Sequence, residues 1–107
     1  MVSTAAVLRR AFACAAFALV STAHADLKVG IDLSSTGPAA VIGITSKNAI
    51  QMWPATLAGQ KAQYIVLDDG TDPGKAVANI RKLIDEDHVD VIVGPNITPA
   101  ALAALDP

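Results

Sequence analysis

The chain has 107 residues, ten acidic against eight basic side chains, a net charge of −2 and a single cysteine. An acidic chain without a Lys/Arg cluster is a poor candidate for binding nucleic acid or an anionic membrane surface, and one cysteine excludes an internal disulfide. The 52% hydrophobic share is inflated by the first 25 residues.

Those residues have the pattern of an export signal. Met1 to Arg10 ends in Arg9-Arg10, an apolar core runs from Ala11 to Val20, and Ala23-His24-Ala25 offers small residues before the charged Asp26. This order predicts a signal peptide over 1–25, cleaved after Ala25. A membrane anchor needs about 18 to 20 apolar residues, roughly twice the run present here, so no insertion is expected after cleavage. Arg9-Arg10-Ala11-Phe12 overlaps the twin-arginine pattern, but general secretion is the default route. Cys14 stands ahead of most of the apolar core, the reverse of a lipoprotein leader. Cleavage leaves 82 residues, 26–107, and takes two of the eight basic residues, so six oppose ten acids for a balance of −4 with no cysteine. Export without disulfides suits a bacterial periplasm.

In the remaining chain, Leu27, Val29, Ile31 and Leu33 alternate with Lys28, Gly30 and Asp32, a period of two that predicts a first strand. Ser34-Ser35-Thr36-Gly37-Pro38 stops it. Ile50, Trp53 and Leu57 are spaced for a helix starting at Thr45 or Ser46, with Pro54 breaking or kinking it near Trp53. Ala58 to Lys61 reads as a short connection, and a second strand follows over about 62–67.

Asp72-Pro73 is an N-cap with proline at the first helical position. Val77, Ile80, Leu83 and Ile84 share one face of the helix that follows, which Glu86-Asp87-His88 ends. Val89 to Val93 is the third strand, closed by Gly94-Pro95, and Pro99 to Leu105 opens a third helix. The expected fold is therefore α/β: a partial doubly wound parallel sheet with the first strand between the second and third. The loops 34–43 and 94–99 would then face each other across a crevice at the carboxyl ends of the strands. Their hydroxyls and backbone N–H groups would favour a carboxylate or another anion.

Enzyme chemistry finds no complete motif. Leu67-Asp68-Asp69-Gly70-Thr71 approaches the haloacid-dehalogenase signature, but Leu67 stands where the nucleophilic Asp belongs. Gly30 to Gly37 approaches a sugar-kinase phosphate loop, yet a helix rather than a β-hairpin follows. Neither a P-loop nor a complete Gly-x-Gly-x-x-Gly occurs. Asn96-Ile97-Thr98 is formally a glycosylation sequon, with Pro99 after it in a bacterial context. Asp68 and Asp69 are read as solvated loop carboxylates, Asp72 as a cap and His88 as a solvated helix-end residue. No catalytic residue, metal site or cofactor is expected.

Leu27-Lys28-Val29-Gly30, Thr36-Gly37-Pro38-Ala39-Ala40 with Gly43, Asp68-Asp69 with Asp72-Pro73 and Ala76-Val77, Arg81-Lys82-Leu83, and Val89 to Pro95 occur in one order and spacing. In these pieces the chain resembles the start of the periplasmic solute-binding proteins of the leucine/isoleucine/valine-binding type, the soluble receptors of ABC importers. The resemblance implies a periplasmic binding protein type I fold, of which 26–107 would be the first part of the N-terminal lobe. It also implies a small carboxylate-bearing ligand, an ABC permease as partner of the full-length protein, and no enzymatic activity.

In such proteins a Ser or Thr four residues past the strand-ending glycine holds the ligand carboxylate; that position is Thr98, with Asn96 and Ile97 beside it. Thr98 can equally cap the helix that Pro99 opens. The loop after the first strand lines the pocket through Ala39 and Ile42, the latter standing where amino-acid-binding members often carry an aromatic. The short first helix with Pro54, followed by Gly59-Gln60-Lys61 and Tyr64 to Asp69, looks more like the family's branch for aromatic acids. A ligand-sensing receptor domain of the same fold is the alternative, as is a truncated fragment that binds nothing tightly.

Overall fold

The computed structural model describes residues 25–107; the expected signal peptide lies outside them, save for Ala25. Seven elements follow in order: β1 (Leu27–Leu33), α1 (Ala40–Ile50), β2 (Thr56–Leu57), β3 (Gln60–Asp68), α2 (Pro73–Asp85), β4 (Val91–Val93) and α3 (Thr98–Ala103). The sheet order is β2-β3-β1-β4, with β1 parallel to both β3 and β4 and β2 antiparallel to β3. The expected placement of the first strand between the next two long-range partners is met: Ile31 aligns with Val66 on one side and Val93 on the other.

Both faces of β1 are covered, as in parallel sheets generally. Val29, Ile31 and Leu33 form the core of one face, with Leu27, Ile50, Leu57, Tyr64 and Val66 packed against them. The other face carries Gly30 and Asp32 beneath α2. A Cβ at Gly30 would lie about 3 Å from the Leu83 methyls, so the missing side chain lets the helix sit close to the strand. Asp32 is accordingly 0% exposed.

The first helix differs most from expectation. It begins at Ala40, because Gly37 adopts φ +79° and the Ala40 N–H closes a turn on the Gly37 carbonyl, with Pro38 between them. Thr45 and Ser46 are therefore inside the helix; their hydroxyls donate back to the carbonyls of Val41 and Ile42. The helix stops at Ile50, since the residue before Pro54 is biased away from the helical region. Trp53 leaves the helix and meets Tyr64 edge-on, ring centres 5.4 Å apart, while the Tyr64 hydroxyl donates to the Pro54 carbonyl. Ala58 (φ 49°) and Gly59 (φ 77°) then form the two-residue turn of a hairpin joining β2 and β3.

Asp72 caps α2 as expected, accepting from the Lys75 N–H at 2.8 Å. Ala76, Ile80 and Leu83, at i, i+4 and i+7, are the buried stripe of α2, whereas Ile84 is 47% exposed. His88 (φ 50°) takes the left-handed position after the helix, and the Val89 N–H bonds the Leu83 carbonyl. That bond holds Val89 against the helix end, so β4 starts two residues later than its sequence suggests. α3 begins at Thr98 and α2 packs alongside it.

Candidate binding site at the strand ends

At the carboxyl edge of the sheet, β1 lies where the chain order reverses, with β3 on one side and β4 on the other. Open α/β sheets bind ligands at such a point. The loop after β1 and the loop after β4 meet there: the Ser34 N–H donates to Asn96 Oδ1 at 3.0 Å. The chain can pass so close because Gly94 (φ +103°) has no side chain; a Cβ there would overlap the Asp32 carbonyl.

The loop after β1 is shaped from the other side by the loop after β3. Asp68 Oδ1 accepts the N–H groups of Ser35, Thr36 and Gly70, and Asp68 Oδ2 accepts the Thr36 hydroxyl. Burial works against the charge, but the Thr36 hydroxyl and the three N–H groups outweigh it and hold the Asp68 carboxyl down at about 2. Thr71 completes the lacing: its hydroxyl donates to the Thr36 carbonyl and accepts the Ala39 N–H. Asp69, 0% exposed, accepts the Ser34 hydroxyl at 2.6 Å and the Thr71 N–H at 2.8 Å.

Asp68 and Asp69 are thus structural acceptors, not the solvated carboxylates their loop position suggested. Their adjacency at a strand end was the visible signal. What the sequence concealed was that Ser34, Thr36 and Thr71, some 30 residues away or across a turn, supply the donors.

The five expected ligand-binding residues divide into two groups. Asn96, Ile97 and Thr98 line a groove of about 330 Å³ with Pro95, Ala101, Leu102 and Leu105. Thr98 is exposed and opens α3 as its first residue; the cap position falls on Ile97, with no side-chain cap, so Thr98 does not serve as the cap. Ala39 and Ile42 stand at the start of α1, where the Ile42 N–H bonds the Ala39 carbonyl and Ile42 is 53% exposed. Neither borders that groove, nor the apolar one of about 420 Å³ on the α1 face, between Ile50 and Trp53 on one side and Val93 and Gly94 on the other. Asn96 borders both grooves and, through Ser34, ties one loop to the other. Among the described residues no group of three or more His, Cys, Asp or Glu could hold a metal ion.

Residues 26–106 match the sequence profile of the family described as periplasmic binding protein. The chain belongs to this family. It is 29% identical over 98 residues to the Leu/Ile/Val-binding protein BraC3 of Rhizobium johnstonii, covering 86% of this chain and 26% of that protein. An extracellular ligand-binding receptor from Rhodopseudomonas palustris HaA2 shares 41% identity at a TM-score of 0.71, over 73% of this chain and 22% of its own. A solute binding protein of an ABC transporter from Rhodopseudomonas palustris BisB5, solved in complex with 3,4-dihydroxy benzoic acid, shares 40% identity at a TM-score of 0.70. That match covers 74% of this chain and 23% of the other. The chain thus spans about a quarter of the length of these relatives. The parallel-rich α/β sheet is that of the family's type I members, present here in part. No helix among the described residues is long and apolar enough to cross a membrane.

Proposed function

We propose that residues 26–107 are the first part of the N-terminal lobe of a periplasmic solute receptor that delivers a small carboxylate-bearing compound to an ABC permease. The observation that carries this reading is the Ser34–Asn96 hydrogen bond, which joins the loops after β1 and β4 at the point where the strand order reverses. In this reading the exposed Thr98 hydroxyl meets the ligand carboxylate, Asn96 and Ile97 hold the loop that presents it, and Ala39 and Ile42, which border neither groove, line the wider crevice from the start of α1. The role is capture without chemistry, and residues 1–25 direct export and are removed.

An aromatic acid is favoured over an aliphatic amino acid. Ile42 stands where the resemblance implies an aromatic in amino-acid-binding members, and the BisB5 relative was solved with 3,4-dihydroxy benzoic acid. The test is calorimetric titration of the polypeptide in the length the cell produces, with 3,4-dihydroxybenzoate, benzoate, leucine and isoleucine. Tight binding of a benzoate, weakened about tenfold or more in Thr98→Ala, is expected for one lost charge-assisted hydrogen bond. Preference for leucine would redirect the ligand class, and an unaltered affinity in Thr98→Ala would remove Thr98 from the site.

A further inference from the structure

Beneath the loops, two acidic side chains lie with no access to solvent: Asp32 on β1 and Asp69 just past β3, each 0% exposed. Each has one satisfied oxygen. Asp32 Oδ1 accepts the Asn79 side-chain N–H at 2.7 Å, and Asp69 Oδ1 accepts the Ser34 hydroxyl and the Thr71 N–H. Each also has one buried oxygen, Oδ2, with no donor. The Asp69 N–H donates to the Leu33 carbonyl at 3.0 Å, which sets Asp69 beside the end of β1 that carries Asp32, and Asp69 acts on the Asp32 carboxyl through its side chain.

The surrounding charges offer no relief. From the end of β3, Asp68 adds a further negative field on Asp32. From α2 come Asp72, which is committed to its cap, and Lys75, whose ammonium lies by Gly70. β4 presents Val91, Ile92 and Val93, and α3 has no titratable residue. Among the described residues the ion pairs within 4.0 Å are those of Lys82 with Glu86 and Asp87. Two buried carboxylates without a cation cannot both stay ionised cheaply, and an unmade hydrogen bond on each adds to the cost. A single proton placed between the two Oδ2 atoms removes one charge and satisfies both orphan oxygens.

We propose that Asp32 and Asp69 share one proton between their Oδ2 atoms, a buried acid pair that fastens β1 to the loop after β3. Burial, opposed by the Asn79 hydrogen bond and reinforced by Asp69 and Asp68, pushes the Asp32 carboxyl up to about 7. Folding therefore takes up a proton between the ordinary Asp range near 3.8 and about 7. The stabilisation is complete below that window and is lost as pH climbs through about 7, when the proton goes to solvent and the second carboxylate charge stays buried. Because Ser34 bonds both Asp69 and Asn96, the loosening reaches the loops at the switch point. The device is independent of which solute the protein binds.

The test compares the polypeptide, in the length the cell makes, with Asp32→Asn, whose amide can accept from Asn79 and donate to Asp69 Oδ2 without titrating. The wild-type melting temperature is expected to fall by about 5 °C or more between about pH 5 and about pH 8, with lower protection of the Ser34 and Thr71 amides relative to their intrinsic exchange rates, and Asp32→Asn is expected to lose both changes. An equal slope in wild type and variant would overturn the proposal. Carbon-13 resonances of the aspartate carboxyls in the wild type give a second reading that needs no variant. One protonated carboxyl shared by the two residues near pH 6 supports the pair; two ionised carboxylates, as a bound cation would allow, sink it.

Discussion

The Thr36 hydroxyl donates to Asp68 Oδ2 at 2.6 Å, across the gap between the loop after β1 and the end of β3. The neighbouring oxygen of the same carboxylate gathers three backbone N–H groups, two of them from the loop after β1. One side chain thus fixes the path of the segment that runs from β1 into α1, and with it the position of Ala39 and Ile42. A loop of Ser, Thr, Gly and Pro has little intrinsic preference for one shape; here its conformation is imposed by an acceptor on the adjacent strand.

Asp68→Asn is therefore expected to destabilise the fold by about 1 to 2 kcal/mol, because the amide keeps one acceptor but loses the charge that strengthens four bonds. Asp68→Ala should cost more, since it leaves those donors without a partner. The pH dependence follows from a carboxyl held at about 2 against an ordinary value of 3.8. Its stabilisation is present above about pH 4 and disappears as pH falls through about 2, opposite in sign to that of Asp32. Denaturant melts at a series of acid pH values, in wild type and Asp68→Asn, check this: the wild type should lose stability on acidification more steeply than the variant.

Gly43 lets α1 lie directly on the end of β1, for a Cβ there would overlap the Ser34 carbonyl and its peptide carbon. The clash is with backbone on both sides, so no rotamer relieves it. Gly43→Ala should destabilise by about 1 to 3 kcal/mol even though alanine is the better helix former, because overpacking outweighs the roughly 1 kcal/mol gained in propensity. Chemical denaturation measures the sum. A variant as stable as the wild type would mean that α1 shifts freely on the sheet, and the position of Ile42 would then not be fixed by this contact.

The α/β class, the parallel order around β1, the Asp72 cap and the family were all legible because each rests on local patterning or short spacing. Ile65-Val66-Leu67, Asp72-Pro73 and Val91-Ile92-Val93 carry their own signals. The start of α1 was not legible, since Ala39 and Ala40 have no side-chain cap and the turn depends on Gly37 adopting a positive φ against Gly70. The roles of Asp32, Asp68 and Asp69 were hidden for a related reason. Their partners Asn79, Thr36 and Ser34 come together only through the crossover, and polarity alone reads as exposure. Of the candidate site, the two meeting loops were legible, whereas the residue that joins them was read only as a ligand contact.

That residue, Asn96, yields the most direct check on the switch-point reading. Asn96 Oδ1 is the acceptor of the Ser34 N–H, and Ser34 itself is 0% exposed. Asn96→Ala removes the acceptor and leaves a buried N–H unpaired, a loss of about 1 to 3 kcal/mol. Asn96→Asp restores the acceptor but adds a negative charge to a neighbourhood that already holds Asp32 and Asp69, so it should rescue the hydrogen bond at low pH and fail as pH rises. If Asn96 works by positioning the loop after β4, Asn96→Ala should weaken solute binding while leaving the secondary structure intact by circular dichroism. It should also speed amide exchange at Ser34. Slow exchange at Ser34 in Asn96→Ala would show that the two loops hold together without this bond, and the cleft would then owe its shape to the Asp68 and Thr71 lacing alone.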